Sequence, residues 1–477
     1  MNRIMDSVRE QANRFLGADF RKKCDMLAFL FFCLFLFDCC FSGGGRYLKI
    51  GPFTPRMIMA GLSFVFSLPG LLTAIKSKKN IVILAMFFAF ILCVVINFFR
   101  GVSAGHRMSV ISRDIKGYMW LFVVPVALSV ISTPRRMHII LDTILAGTFF
   151  QAVIVFAMNT FDAIIPDGHK IIHDWVLYRQ VGFINPVSPS IVRIFMRSVP
   201  YMIGACCIVF FRQMYADKLK IRYILLMSLY FCAMLMSFTR SVYGALFVGL
   251  LCSVVILLIL DRKKLLFCLK FAGATAIATL VLVFVMEFAY NASYLNFAVS
   301  RTFGITPSQS FAVELRQEIK KAFGVQMPDP NEEQEDMEDY LDVTQKSDLL
   351  REQTQKDLIE LIHKNPIFGN GLGAAAAVRD YGLDEYFYLF TLARIGVLGL
   401  LLYLAPFLFV LYHCIRKRGS LRFLPEMAGI IGGMVSLWAI TWFNPWMNAV
   451  LGIAWYAIFC TLPQQLQVLD SNTMLGE

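Results

Sequence analysis

Apolar residues run in blocks of roughly 17 to 25 along this chain, separated by short polar links that carry Lys or Arg. Each block is long enough to cross a bilayer as an α-helix. The pattern predicts about twelve spans, at 26–43, 54–75, 80–99, 117–132, 138–158, 196–212, 222–238, 242–260, 265–288, 386–412, 424–442 and 446–462. Spans 117–132 and 446–462 are the shortest or most interrupted. The predicted fold is an all-α polytopic membrane protein. A basic N-terminal arm (1–25) precedes transmembrane helices one to nine (26–288), a large, partly helical loop (289–384), helices ten to twelve (385–462) and a tail (463–477).

Composition agrees. The chain is 58% hydrophobic and 16% charged, with mean hydropathy +0.63, against roughly half and a quarter in soluble domains. The arm MNRIMDSVREQANRFLGADFRKKCD is polar and runs straight into the first apolar block, which reads as an uncleaved anchor rather than a cleavable signal. Lys and Arg recur on alternate links: Arg21, Lys22 and Lys23; Lys76, Lys78 and Lys79; Arg135 and Arg136; Lys218, Lys220 and Arg222; Arg262, Lys263 and Lys264; Arg416, Lys417 and Arg418. All fall on one side if both termini are cytoplasmic. The net charge of +12 is then mostly a topology signal. Strung across separate links, it does not make the single basic face of a nucleic-acid binder. The 12 cysteines lie in spans or on the cytoplasmic side and form no disulfide framework or CxxC site. The vicinal pairs Cys39–Cys40 and Cys206–Cys207 read as small apolar helix residues. No metal centre is expected among the 6 histidines.

The outer side carries the candidate chemistry. In SFTRSVYGAL (237–246) a very short turn places Arg240 at its tip, where the positive-inside bias gives no reason for a cation; the bland alternative is snorkelling to headgroups. In YRQVGFINPVSPSIV (178–192) Asn185–Pro186 marks a turn, and Arg179, Arg193 and Arg197 add cations; the bland alternative is an ordinary ordered loop. The long loop holds a helix candidate at 308–323, an acidic and solvated stretch at 329–342, and then SDLLREQTQKDLIELIHKNP. There Leu350, Leu358, Leu361 and Ile362 share a face, Ser347 caps and Pro366 stops the helix. Arg351 in its first turn opposes the helix dipole, which points to a partner outside the helix. In PIFGNGLGAAAA, Gly369, Gly371 and Gly373 allow close backbone approach.

The stretch DEYFYLFTLARIGVLGLLLYL (384–404) puts Asp384 and Glu385 at the mouth of a membrane helix and Arg394 inside it. Ionised groups at that depth are costly and tend to be functional. Tyr386 and Tyr388 are either belt aromatics or sugar-stacking groups; the belt is favoured.

Taken in order, these pieces resemble the O-antigen ligase and O-antigen polymerase (Wzy-like) superfamily of bacterial envelope proteins. Asn185–Pro186 after Gly182–Phe183, the Thr239–Arg240–Ser241 turn, and Arg351 followed by Asn365–Pro366–Ile367–Phe368–Gly369–Asn370–Gly371 look like family motifs. Glu385–Tyr386, nine residues and then Gly396–Val397–Leu398–Gly399 match the spacing of the ligase motif, with Glu385 in the place of its His. At Arg394 family members often carry Glu.

The resemblance implies glycosyl transfer from an undecaprenyl-diphosphate-linked oligosaccharide at the periplasmic face of the inner membrane. The acceptor would be a second lipid-linked repeat unit or lipid A-core, the partners would include the lipid bilayer, and a chain-length regulator is an optional further one. It implies Arg240 and Arg351 on the leaving diphosphate and Glu385 as the base, with Asp384 competing for that role. Arg179, Asn185, Arg193, Arg197, Gly371, Tyr388 and Arg394 are expected on the substrate side. Arg394 lies about 13 Å deeper than Glu385 and is expected to pair elsewhere, with Glu287 one candidate. His169, His173 and His363 are open to enter the site. No cofactor or metal is required, because the donor is already activated. Loss of the ligase-type His tilts the reading to a polymerase. The alternatives are the ligase, a protein O-oligosaccharyltransferase and, from another class, a lipid-linked glycan transporter or flippase, whose repeated halves are not evident here.

Overall fold

The computed structural model describes residues 19–42, 53–75, 77–165, 167–188, 191–290, 294–303, 348–375, 385–422 and 424–474. The basic arm before residue 19, the 308–323 helix candidate, the acidic stretch 329–342, Ser347 and Asp384 lie outside them. The described chain is nearly all α-helix, as the apolar blocks predict. Among the described residues, 7 helices are long and apolar enough to cross a membrane: Phe20–Phe41, Pro55–Ala74, Lys78–Ser103, Pro134–Ile164, Arg240–Leu260, Arg262–Ala289 and Phe387–Arg416. Shorter apolar helices span Val199–Met214, Ile221–Leu235 and Glu426–Ile440. Spans 117–132 and 446–462 coincide with broken segments. The first is a 3-10 turn, Met119–Phe122, running into Val123–Val130; the second is a 3-10 turn, Trp446–Asn448, before Val450–Cys460.

Length and burial divide the helices into two sets. Every residue of Val450–Cys460 is buried, as is all of Val199–Met214 except Arg212. These helices form the middle of the bundle. The long helices surround them and expose one apolar face: Leu72, Phe88, Phe247 and Ile277 all stand out from the protein. Such faces suit hydrocarbon, not water. Small residues set the central spacing, as is usual where helices meet in lipid. A Cβ on Gly204 or Gly433 would fall 2.2 or 2.3 Å from the Trp455 ring. The pairs Cys39–Cys40 and Cys206–Cys207 are buried helix residues, as read from sequence.

One element departs from the all-α expectation. Residues Gly182–Ser188 and Ile191–Met196 form an antiparallel hairpin, with Asn185 opposite Arg193. From sequence, Asn185–Pro186 marks a turn, not a strand. Yet 191–196 is IVRIFM, rich in β-branched and aromatic residues. The hairpin docks on the turn before Arg240: Ile194 N donates to Met236 O at 2.9 Å.

The helix Phe387–Arg416 is broken. Gly396 has φ 71° and ψ −177°, so the ladder stops there. Backbone groups freed at such depth must find partners inside the protein. The 366–371 segment supplies them. Asn370 N and Gly371 N donate to the carbonyls of Ala393 and Arg394 at 2.9 and 3.0 Å, and Val397 N and Leu398 N donate to Pro366 O and Ile367 O at 2.9 and 3.1 Å. The preceding helix runs over 348–364 and ends before Pro366, as expected. Its predicted apolar face is only partly used: Leu358 is buried, but Leu350 is exposed.

Candidate functional site

A cavity of about 910 Å³ opens where the hairpin, the 237–241 turn, the 348–364 helix, the start of Phe387–Arg416 and the 439–444 segment meet. Among the expected site residues, Asn185, Arg193, Arg240, Arg351 and Glu385 line it. They come from four segments spread over two hundred residues, and the fold brings them to one place.

Four side chains form a line of alternating charge. Arg351 forks onto Glu385, Nε to Oε2 at 2.6 Å and Nη2 to Oε1 at 3.1 Å. Arg351 Nη1 donates to Asp348 Oδ1 at 2.8 Å. Arg240 Nη2 donates to both oxygens of the same carboxylate, at 3.0 and 2.8 Å. The Arg351–Glu385 fork is bidentate and charge-assisted, the stronger kind of contact. Arg240–Asp348 is 44% and 43% exposed, so water weakens it and leaves it easy to exchange. Hydrogen bonding to Glu385, against opposing burial, holds Arg351 above its ordinary value, so it is a permanent cation. Burial pushes the Asp348 carboxyl up, and the hydrogen bonds from Arg240 and Arg351 outweigh it, leaving it below the usual carboxylate value.

Two strained residues aim these groups. Phe238 has φ 43° and Tyr386 φ 64°, both left-handed, both bulky and both buried. Such conformations cost roughly 1–3 kcal/mol each and persist only where surroundings demand them. Phe238 is two residues before Arg240, and Tyr386 directly follows Glu385. Arg193 braces the first bend: its Nε donates to Ser237 O at 3.0 Å and its Nη2 to Thr239 Oγ1 at 3.2 Å. Burial lowers the Arg193 pKa from its ordinary value.

Among the described residues, the other expected ones lie away from the first cavity. A Cβ on Gly371 would lie 2.6 Å from Gly101 N, so its backbone closely approaches a neighbouring helix. Tyr388 lines neither large cavity. Its hydroxyl donates to Trp438 O at 2.7 Å, and its ring packs against Trp438 and Trp442. Arg179 ends the helix Gly168–Arg179 and lies over the Tyr178 ring, away from the cavity. Arg394 pairs with Asp114 at 3.3 Å, not with Glu287, which accepts from Leu295 N. Arg197 and Arg394 line a second, adjoining cavity. His169 pairs with Asp162, His173 with Asp174, and His363 is exposed; none lines the first cavity. Among the described residues no group of three or more His, Cys, Asp or Glu is placed to hold a metal.

Sequence reading missed Asp348 and Asp114. Asp348 sits three residues before Arg351, the helical spacing of an ion pair, and was legible on that ground. Asp114 lies in a link that also holds Arg100, Arg107, Arg113 and Lys116, cations the topology bias does not explain on that side. No family model matches the chain, and no curated protein matches it.

Proposed function

We propose that this chain is a membrane glycosyltransferase that joins polyprenyl-diphosphate-linked oligosaccharide repeat units, a polymerase of an envelope glycan. The observation that carries it is the Arg240–Asp348–Arg351–Glu385 line at the mouth of an apolar bundle. In this reading about twelve crossings place both termini in the cytoplasm and the cavity at the periplasmic face of the inner membrane. The polyprenyl tail stays in lipid while the diphosphate reaches the cavity. There it competes with Asp348 and Glu385 for Arg240 and Arg351, whose planar forks match phosphate oxygens. Glu385, released from the fork, takes the proton of the acceptor hydroxyl as that oxygen bonds to the anomeric carbon. The bond from that carbon to the diphosphate breaks, and the lipid diphosphate leaves with its electron pair. A positioned cation of this type contributes about 2.7–4 kcal/mol to a transition state.

Glu385 in place of a His, and no His among the described residues of the cavity wall, favour polymerase over ligase. The interrupted helix at Gly396 supports a second reading, a lipid-linked glycan transporter, since broken helices mark many transporter sites. Against it, the 366–371 backbone closes that break. A strain lacking the gene separates the readings. Single repeat units accumulating on undecaprenyl diphosphate, with long chains lost, is the polymerase result. Long chains stranded on the lipid would mean ligase. No change in either pool would overturn glycosyl transfer, and single units stranded on lipid at the cytoplasmic face would mean transport.

A further inference from the structure

A second cavity, of about 390 Å³, shares a wall with the first. Consecutive residues face opposite ways: Tyr386 lines the first and Phe387 the second, and Asn444 the first and Pro445 the second. The two differ in charge. The first has three cations and three carboxylates on its wall: Arg193, Arg240 and Arg351 against Asp348, Glu352 and Glu385. Among the described residues the second is lined by Arg113, Lys116, Arg197 and Arg394, with no carboxylate. Asp114, just behind the wall, is 1% exposed and balances Arg394. Among the described residues, no carboxylate lies within ion-pair distance of Arg113, Lys116 or Arg197. Arg197 is half-buried, and its guanidinium lies over the Phe183 ring at 5.5 Å from the centroid. Three uncompensated cations converge on one pocket beside Trp120, Phe387, Phe390 and Thr391.

We infer that this second cavity is a separate binding site for a phosphate ester or diphosphate. A carboxylate brings one negative charge; a phosphate monoester brings about 1.5 to 2, with three acceptor oxygens for converging donors. Arg guanidinium forks suit those oxygens, and Lys supplies a point charge. The volume lies within the range of about 300–1,000 Å³ typical of small-ligand pockets. The inference stands on the cavity alone and does not need the glycosyl-transfer reading. If that reading holds, the site gives a second lipid-linked substrate its own place for the diphosphate.

The test is calorimetric titration of the full chain in phosphatidylcholine nanodiscs. The probes are inorganic pyrophosphate and, separately, farnesyl diphosphate. Variants are Arg113→Ala with Lys116→Ala, and Arg197→Gln. Arg113 and Lys116 are exposed, so their truncation leaves the packing intact; Arg394 is left in place because it balances Asp114. Saturable binding that weakens at least tenfold in both variants, and not in Arg240→Gln, is the expected result. Pyrophosphate binding as tightly as the lipid probe assigns a free anion; binding of farnesyl diphosphate alone assigns a lipid headgroup. No saturable binding of either probe would overturn the inference. So would binding lost in Arg240→Gln but untouched in the other variants, a result that leaves glycosyl transfer at the first cavity standing.

Discussion

Replacing Glu385 by Gln keeps the shape of the side chain and removes the proton acceptor. Glycan polymerisation in a complemented deletion strain is expected to fall by about 10²–10⁴-fold, the usual contribution of a general base. The variant's membrane level should match the parent's; full activity would remove the base assignment. Arg351→Lys keeps charge but loses the fork to Glu385 and is expected to be nearly as inactive. Asp348 carries a pH test. Its folded pKa is lowered from 3.8, so its contribution to stability is present above that value and lost as pH falls through the folded one. The melting-temperature gap between the parent and Asp348→Asn should hold at neutral pH and close as the medium is acidified below 3.8. Asp114→Ala is a harsher change. It leaves Arg394, 4% exposed, without its balancing charge, and breaking a buried pair this way costs about 3–5 kcal/mol. Adding Arg394→Leu should recover part of that loss in a thermal melt; no recovery would mean the pair is not the cause.

At the scale of elements, the broken helix is the feature to probe. Gly396 and Gly371 both have φ in the left-handed region, and a Cβ at Gly396 would meet Ile367 O at 2.2 Å. A non-glycine residue in that conformation costs roughly 1–2 kcal/mol before any clash. Gly396→Ala and Gly371→Ala are expected to lower the melting temperature clearly. Gly273→Ala, a helical position with nothing within 4 Å, should be neutral or stabilising. Equal effects at all three would remove the claim that the 366–371 segment is locked into the break. Gly396 and Gly399 stood out in sequence only as a spaced pair. Their role depends on which backbone lies alongside, and that strand of chain comes from the preceding loop.

At the scale of the whole molecule, the number of crossings sets which side of the membrane the first cavity faces. Among the described residues seven helices are long enough to cross by themselves; the segment 119–130 is a 3-10 turn and a short helix. Reporter fusions after residues 77, 133, 263 and 419 are expected to be cytoplasmic, and those after 105 and 168 periplasmic. Fusions after 105 and 133 in one compartment would remove the fourth crossing and, with it, the proposed periplasmic placement of the cavity.

The sequence alone determined the helical membrane class, the approximate place of each apolar block and several of the residues that meet in the first cavity. Those follow from local properties: block length, hydropathy and single cations on links where the topology bias gives no reason for them. Only the tertiary structure decided which charges meet. Arg351 reaches Glu385 because Tyr386 bends the chain; Arg394 meets Asp114 because the 365–375 loop and the Met108–Tyr118 helix close over it. It also decided that two of the predicted substrate-side cations, Arg197 and Arg394, belong to a different pocket from the others. Charge pairing is set by distances between segments far apart in the chain, and periodicity carries no information about those.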